Sequence, residues 1–296
     1  MWLLHAYPRA WRERYGDELV SLIEAGAEGG RVSLRVKLDV LGAGLVQRLR
    51  SSGLAGDEVP PEGRIRAGVL LVLSSWSAFV VAGVALAKTA EHWQAATPRP
   101  DRGVPRAAYD GVVLAAGLGS LAVLLGIVLT ARPLYAFLRA GGWRQIRRPV
   151  LRGLAATGLT VAALIPSVGW AHHLTNAQRN GGDFLYGMAF LGVGALAVAS
   201  IGLWTHAAVV TARRLALTSG SLRRETLLAA ATTSAMVVMT LAATVWWTSV
   251  DASAPAFFGG GALPFRMVVL TLVMFGATAL ATAGTFRSLR AARYAR

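Results

Sequence analysis

Six stretches, each about 20 residues long and nearly free of charge, decide what this chain can become. They lie near 67–88, 110–131, 151–172, 185–208, 227–249 and 266–286. At about 1.5 Å of rise per residue, each is long enough to cross a hydrocarbon core as a helix. Lipid offers no partner to a backbone amide, so a spanning segment must satisfy its own hydrogen bonds, and helix is the default. The remainder of the chain agrees. Of 296 residues only 15% are charged, with a mean hydropathy of +0.50, whereas a soluble domain carries about 25% charge. The expected fold class is therefore all-α and polytopic.

Where the cations fall sets the expected orientation. The net charge of +15 is carried by 28 arginines and only Lys37 and Lys88. That ratio is usual in GC-rich genomes and points to an actinobacterium-like source. Twenty-four of the basic residues lie before the first stretch, in the 2–3 and 4–5 loops and in the tail; six lie on the other side. The positive-inside rule then places both termini in the cytoplasm of a plasma-membrane protein. This asymmetry accounts for the basic balance without nucleic acid. Cysteine is absent, which excludes disulfides, thiol catalysis and cysteine-held metal. The apolar start, Met1 to Ala6, is too short for a signal peptide and runs at once into Pro8, Arg9, Arg12 and Arg14.

Ahead of the first stretch the pattern changes. Leu4, Tyr7, Trp11, Tyr15, Leu19, Leu22 and Ile23 recur at steps of three and four and predict a helical face. Ala25–Gly30 ends that helix. Leu34, Leu38, Leu41, Leu45 and Leu49 predict a second, and the two read as a hairpin over 1–50. Residues 51–66 read as a linker, 67–286 as the six-helix region and 287–296 as a basic tail. Within the hairpin, Trp11, Tyr15 and Leu19 are expected to hold the helices together, leaving Arg9, Arg12 and Arg14 to face anionic lipid or an acidic partner.

The words Tyr7-Pro8-Arg9 and Trp11-Arg12, with Arg14-Tyr15-Gly16 and Glu18-Leu19, resemble the opening of bacterial permease-prefix and HAAS-like helical domains. The resemblance covers about the first 50 residues. It implies a cytoplasmic helical module, which in such families precedes multi-pass regions, including FtsX/MacB-type permeases. In some it is linked to PadR-type repressors or transport systems. A permease of that type has four spans and a large outer domain, which this chain's pattern does not repeat.

Chemistry-bearing groups are sparse. No Asp, Glu, Lys or Arg stands near the centre of any stretch, where such groups usually mark transport or catalysis. Pro166 could break the third span, because proline removes a backbone donor. His92, His172 and His173, with Glu91, Asp101, Asp110, Asp183 and Asp251, gather at the outer boundary as weak zinc candidates, although their spacing matches no zinc motif. His206 is expected to hydrogen-bond a neighbouring helix. The tryptophans read as an interfacial belt. Ala122/Gly126, Gly158/Ala162, Ala195/Ala199 and Ala279/Ala283 allow close helix approach, and leave self-association of copies open. Thr130-Ala-Arg-Pro, Thr211-Ala-Arg-Arg and Thr285-Phe-Arg-Ser end alternate spans and place Arg132, Arg213 and Arg287 within reach of lipid phosphates. The expectation is a non-enzymatic regulatory or signalling component without a cofactor. It would work with the bilayer and a cytoplasmic regulator. The alternative is a transporter, or the membrane subunit of an exporter with a separate ATPase.

Overall fold

A computed structural model describes residues 2–25, 32–89, 93–96, 103–175, 178, 183–215, 219–255 and 263–294. All regular structure among them is helical. After a 3₁₀ turn, Trp2–Ala6, come α1 (Arg9–Ala25), α2 (Leu34–Ser51), α3 (Pro61–Thr89) and a single turn, α4 (Trp93–Ala96). They are followed by α5 (Val104–Phe137), α6 (Trp143–His173), α7 (Phe184–Arg214), α8 (Ser219–Ser253) and α9 (Leu263–Tyr294). Among the described residues, five helical segments are long and apolar enough to cross a membrane. One of them, Val104–His173, joins α5 to α6 through a five-residue π segment, Leu138–Gly142, in which Gly141 leaves helical geometry at φ +82°. The chain forms two compact units, Met1–Gly68 with Arg287–Arg296, and Val69–Phe286.

In the second unit, the buried positions repeat every seven residues. Val72, Phe79 and Leu86 do so on α3; Ala229, Met236, Ala243 and Val250 on α8; Met267, Met274 and Ala281 on α9. All ten are buried and belong to one apolar cluster. A strict seven-residue repeat drifts by about 20° per heptad on a straight helix, so the helices must supercoil left-handedly to keep such seams in contact. Threonine follows the same period, at 226, 233 and 240 on α8 and at 271, 278 and 285 on α9. Thr233 and Thr285 share a hydrogen bond of 2.7 Å, and Thr240 and Thr278 one of 3.0 Å. One partner's number rises as the other's falls, so α8 and α9 are antiparallel.

α5 lies antiparallel to α8 across small residues. A Cβ placed on Gly119 would stand 3.2 Å from the Ala235 methyl, and one on Gly126 would stand 3.9 Å from Leu228. Gly119 is also where the Trp76 ring rests, since a Cβ there would come within 2.6 Å of it. α6 and α7 make a second antiparallel pair. Thr157 shares a 3.0 Å hydrogen bond with Ser200, and Trp204 Nε1 donates to Thr157 Oγ1 at 3.0 Å. Trp170 meets Tyr186 edge-on at 5.7 Å. Thr205 of α7 donates to Ser74 of α3 at 3.1 Å. The apolar stretch of α7 is otherwise almost entirely outward-facing.

Several expectations change here. Trp76, Trp93 and Trp246 are buried in the main cluster, not in a belt. Trp93 stacks edge-on to Trp246 at 6.0 Å and lies 5.8 Å from the Tyr109 ring. Among the small-residue pairs, Ala122/Gly126 faces a neighbouring helix, whereas Ala195, Ala199, Ala279 and Ala283 face outward. A helix rich in alanine offers several such pairs, and only the register of packing selects one.

Candidate functional site

The first unit is built around Leu3, Tyr7, Ile23 and Val40, all buried, with Ala6, Trp11, Leu19, Val32 and Leu41 packed against them. α1 begins just after Pro8, whose carbonyl takes the Arg12 amide at 3.0 Å. Its missing N–H costs nothing there, because the first turn has no intrahelical acceptor to offer. Ser33 caps α2, its hydroxyl accepting from the Val36 amide at 3.3 Å. α2 lies close to the 3₁₀ turn. A Cβ on Gly44 would come within 2.6 Å of the Ala6 methyl and 3.1 Å of the Tyr7 ring. Arg48 fixes the same contact, donating from Nε to the Ala6 carbonyl at 2.6 Å and from Nη2 to the His5 carbonyl.

The aromatic word that marks this region has a structural reason. Tyr7, Trp11 and Tyr15 stand four residues apart and form a row: Tyr7 stacks on Trp11 with centroids 4.1 Å apart, and Tyr15 meets Trp11 tilted by 46° at 5.3 Å. Arg14 closes the row, its guanidinium 5.3 Å from the Tyr15 ring, a cation–π contact. Trp11 and Leu19 are half-buried against the core. Tyr15 is 37% exposed and lies outside the cluster. Arg9 is exposed and pairs with Glu13 at 2.7 Å, an i,i+4 surface contact worth about 0.5 kcal/mol or less. Arg12 is half-buried, and its Nε has no hydrogen-bond partner among the described residues. The row therefore offers rigid rings with cations at their edge, a surface that suits carboxylates and other aromatic groups. Burial raises the Tyr7 hydroxyl above its ordinary 10.0.

Residues 51–66 carry more order than a linker needs. Gly53, at φ +82°, ends α2, with the Ser52 amide returning to the Arg48 carbonyl at 2.9 Å. Gly56 is also left-handed, at φ +62°. Arg287 donates to the carbonyls of Gly53 and Gly56, Arg64 pairs with Asp57, and Ser288 donates to the Ile65 carbonyl at 3.2 Å. Arg287 thus serves the chain's own backbone, where lipid phosphate was expected.

The remaining candidates are scattered. His172 and His173 are exposed at the end of α6. His92, Glu91 and Asp101 lie outside the described residues, as do residues 26–30, which were expected to end the first helix. Asp110 pairs with Arg106 at 3.1 Å, and Asp183 caps α7 by accepting from the Tyr186 amide at 3.0 Å. Among the described residues, no three His, Cys, Asp or Glu side chains come together. His206 is exposed on α7, and the interhelical hydrogen bond expected of it is made by Trp204 instead. α6 stays helical through Pro166, where Ser167 bonds back to the Ala163 carbonyl at 2.8 Å. The departure from helical backbone is at Gly141.

No family model, no curated protein and no solved structure matches the chain.

Proposed function

We propose that this is a six-crossing plasma-membrane protein with both ends in the cytoplasm. In this reading it acts as a non-enzymatic regulatory or signalling component. The Val104–His173 segment makes two of the crossings, turning at Gly141–Gly142. α1 and α2 form a head of the permease-prefix kind, and the head engages a cytosolic protein through Arg9, Trp11, Arg12, Arg14, Tyr15 and Leu19.

One observation carries this reading. The aromatic row of Tyr7, Trp11 and Tyr15, closed by Arg14, is locked at its base by a buried core and open along its rim. Rigid aromatics and arginines are the residue types that dominate binding energy at protein interfaces, because they bury large area at small entropic cost. The same unit includes Arg287, near the end of α9.

The test is photo-crosslinking in cells from the full chain, with a photoreactive side chain at Tyr15 or Arg14. A cytosolic regulator should be captured, and capture should be lost when Arg9, Arg12 and Arg14 are changed to Gln. Capture of an ATPase would favour the exporter-subunit alternative. Adducts with lipid alone would sink both.

A further inference from the structure

The core of the first unit takes Leu41 of α2 and leaves the other four leucines of that helix unused. α2 packs through Val40 and Gly44, the buried positions of that helix. Leu34, Leu38, Leu45 and Leu49 are 72%, 59%, 59% and 37% exposed. At 3.6 residues per turn the four fall within an arc of about 60°. The result is a straight apolar stripe, about 16 Å from Leu34 to Leu45 at 1.5 Å per residue. Contiguous apolar surface of this kind needs a cover.

We propose that this stripe lies in the headgroup–acyl boundary of an anionic leaflet, with α2 parallel to the membrane plane. Charge favours that cover. On the helical wheel Arg35 flanks one edge of the stripe and Lys37 the other. The helix carries Arg35, Lys37, Arg48 and Arg50 against the single acid Asp39. Lipid phosphates answer such edges, as they do in interfacial helices with an apolar face and a basic border. A second copy would bring the same cations against themselves.

Tethering points the same way. Nine residues separate the end of α2 from the start of the first long apolar helix, Pro61, a reach of about 30 Å at most. Within that segment the carbonyls of Gly53 and Gly56 are held by Arg287, near the end of α9. α2 is therefore kept beside the point where one apolar helix begins and another ends. This surface is separate from the Arg9–Leu19 face of α1, so either proposal can fail alone.

Because the chain has no cysteine, single cysteines report cleanly. Leu38→Cys, Leu45→Cys and the outward Ala43→Cys control are made in the full chain, labelled with an environment-sensitive fluorophore and placed in phosphatidylglycerol nanodiscs. Quenching by spin-labelled lipid should be at least about threefold stronger at 38 and 45 than at 43, as an interfacial helix requires. Iodide should quench in the opposite order. Arg35→Gln with Lys37→Gln should weaken the lipid quenching. Because both side chains lie outside the buried core, this variant keeps the fold. Equal iodide access at all three positions would overturn the proposal. So would disulfide crosslinks between copies of the unlabelled Leu45→Cys variant, or protection that appears only when a cytosolic protein is added.

Discussion

At the scale of single residues, two glycines two positions apart on α2 should respond in opposite ways. Gly44 has no room for a methyl group, since the Ala6 methyl would stand 2.6 Å away. Gly42 faces open space. Gly44→Ala should cost about 1–3 kcal/mol by overpacking, and Gly42→Ala should gain about 0.5–1 kcal/mol from helix propensity. Thermal unfolding or protease sensitivity of the full chain would read both. Tyr7 gives a pH signature. Its folded-state pKa lies above the ordinary 10.0, so its contribution is complete below pH 10 and is lost as pH rises through the raised value. A Tyr7→Phe variant should flatten that alkaline loss when unfolding is measured across a series of pH values. The shared helical face of Tyr7, Trp11 and Tyr15 was legible at this scale, because i,i+4 spacing brings such side chains together, but the place of Tyr15 outside the core was not. Gly44 was not: its role depends on how α2 approaches the 3₁₀ turn, a contact some forty residues apart in sequence.

At the scale of helices, the threonine pairs are the sharpest test of packing. Thr233→Val and Thr285→Val should each destabilise the membrane unit, and the double variant should cost less than the two together. The coupling should be about 0.6 kcal/mol, typical of hydrogen bonds between membrane helices, as measured by a double-mutant cycle on reversible unfolding. The helices themselves were plain in the sequence, but their inward faces were not. In a membrane segment the side toward lipid is as apolar as the side toward protein, so amphipathic contrast disappears. What survives is the weaker seven-residue register of Ala229, Met236, Ala243 and Val250, visible once burial is known. The tryptophans mislead for the same reason. Trp93 and Trp246 lie near helix ends, where a belt is expected, yet they face each other.

For the whole molecule, the number of crossings is decided at Gly141. Single cysteines at Arg139 and His173, treated with a membrane-impermeant maleimide in intact cells, should behave differently. His173→Cys should be labelled outside, and Arg139→Cys only after lysis. Identical labelling of both would mean that the Val104–His173 segment does not turn, and the orientation built on arginine placement would fall with it. That orientation came from charge alone. The association of the chain's two ends in one unit could not, because no local pattern announces that Arg287 will serve carbonyls more than 200 positions earlier.

That association also has a consequence for biosynthesis. Gly53 and Gly56 leave the ribosome more than 200 residues before Arg287, the arginine that fastens their loop. Until Arg287 is made, the carbonyls of Gly53 and Gly56 lack that donor. Only a nascent chain that has reached the end of α9 can close the loop, so its closure would report that α9 has been made.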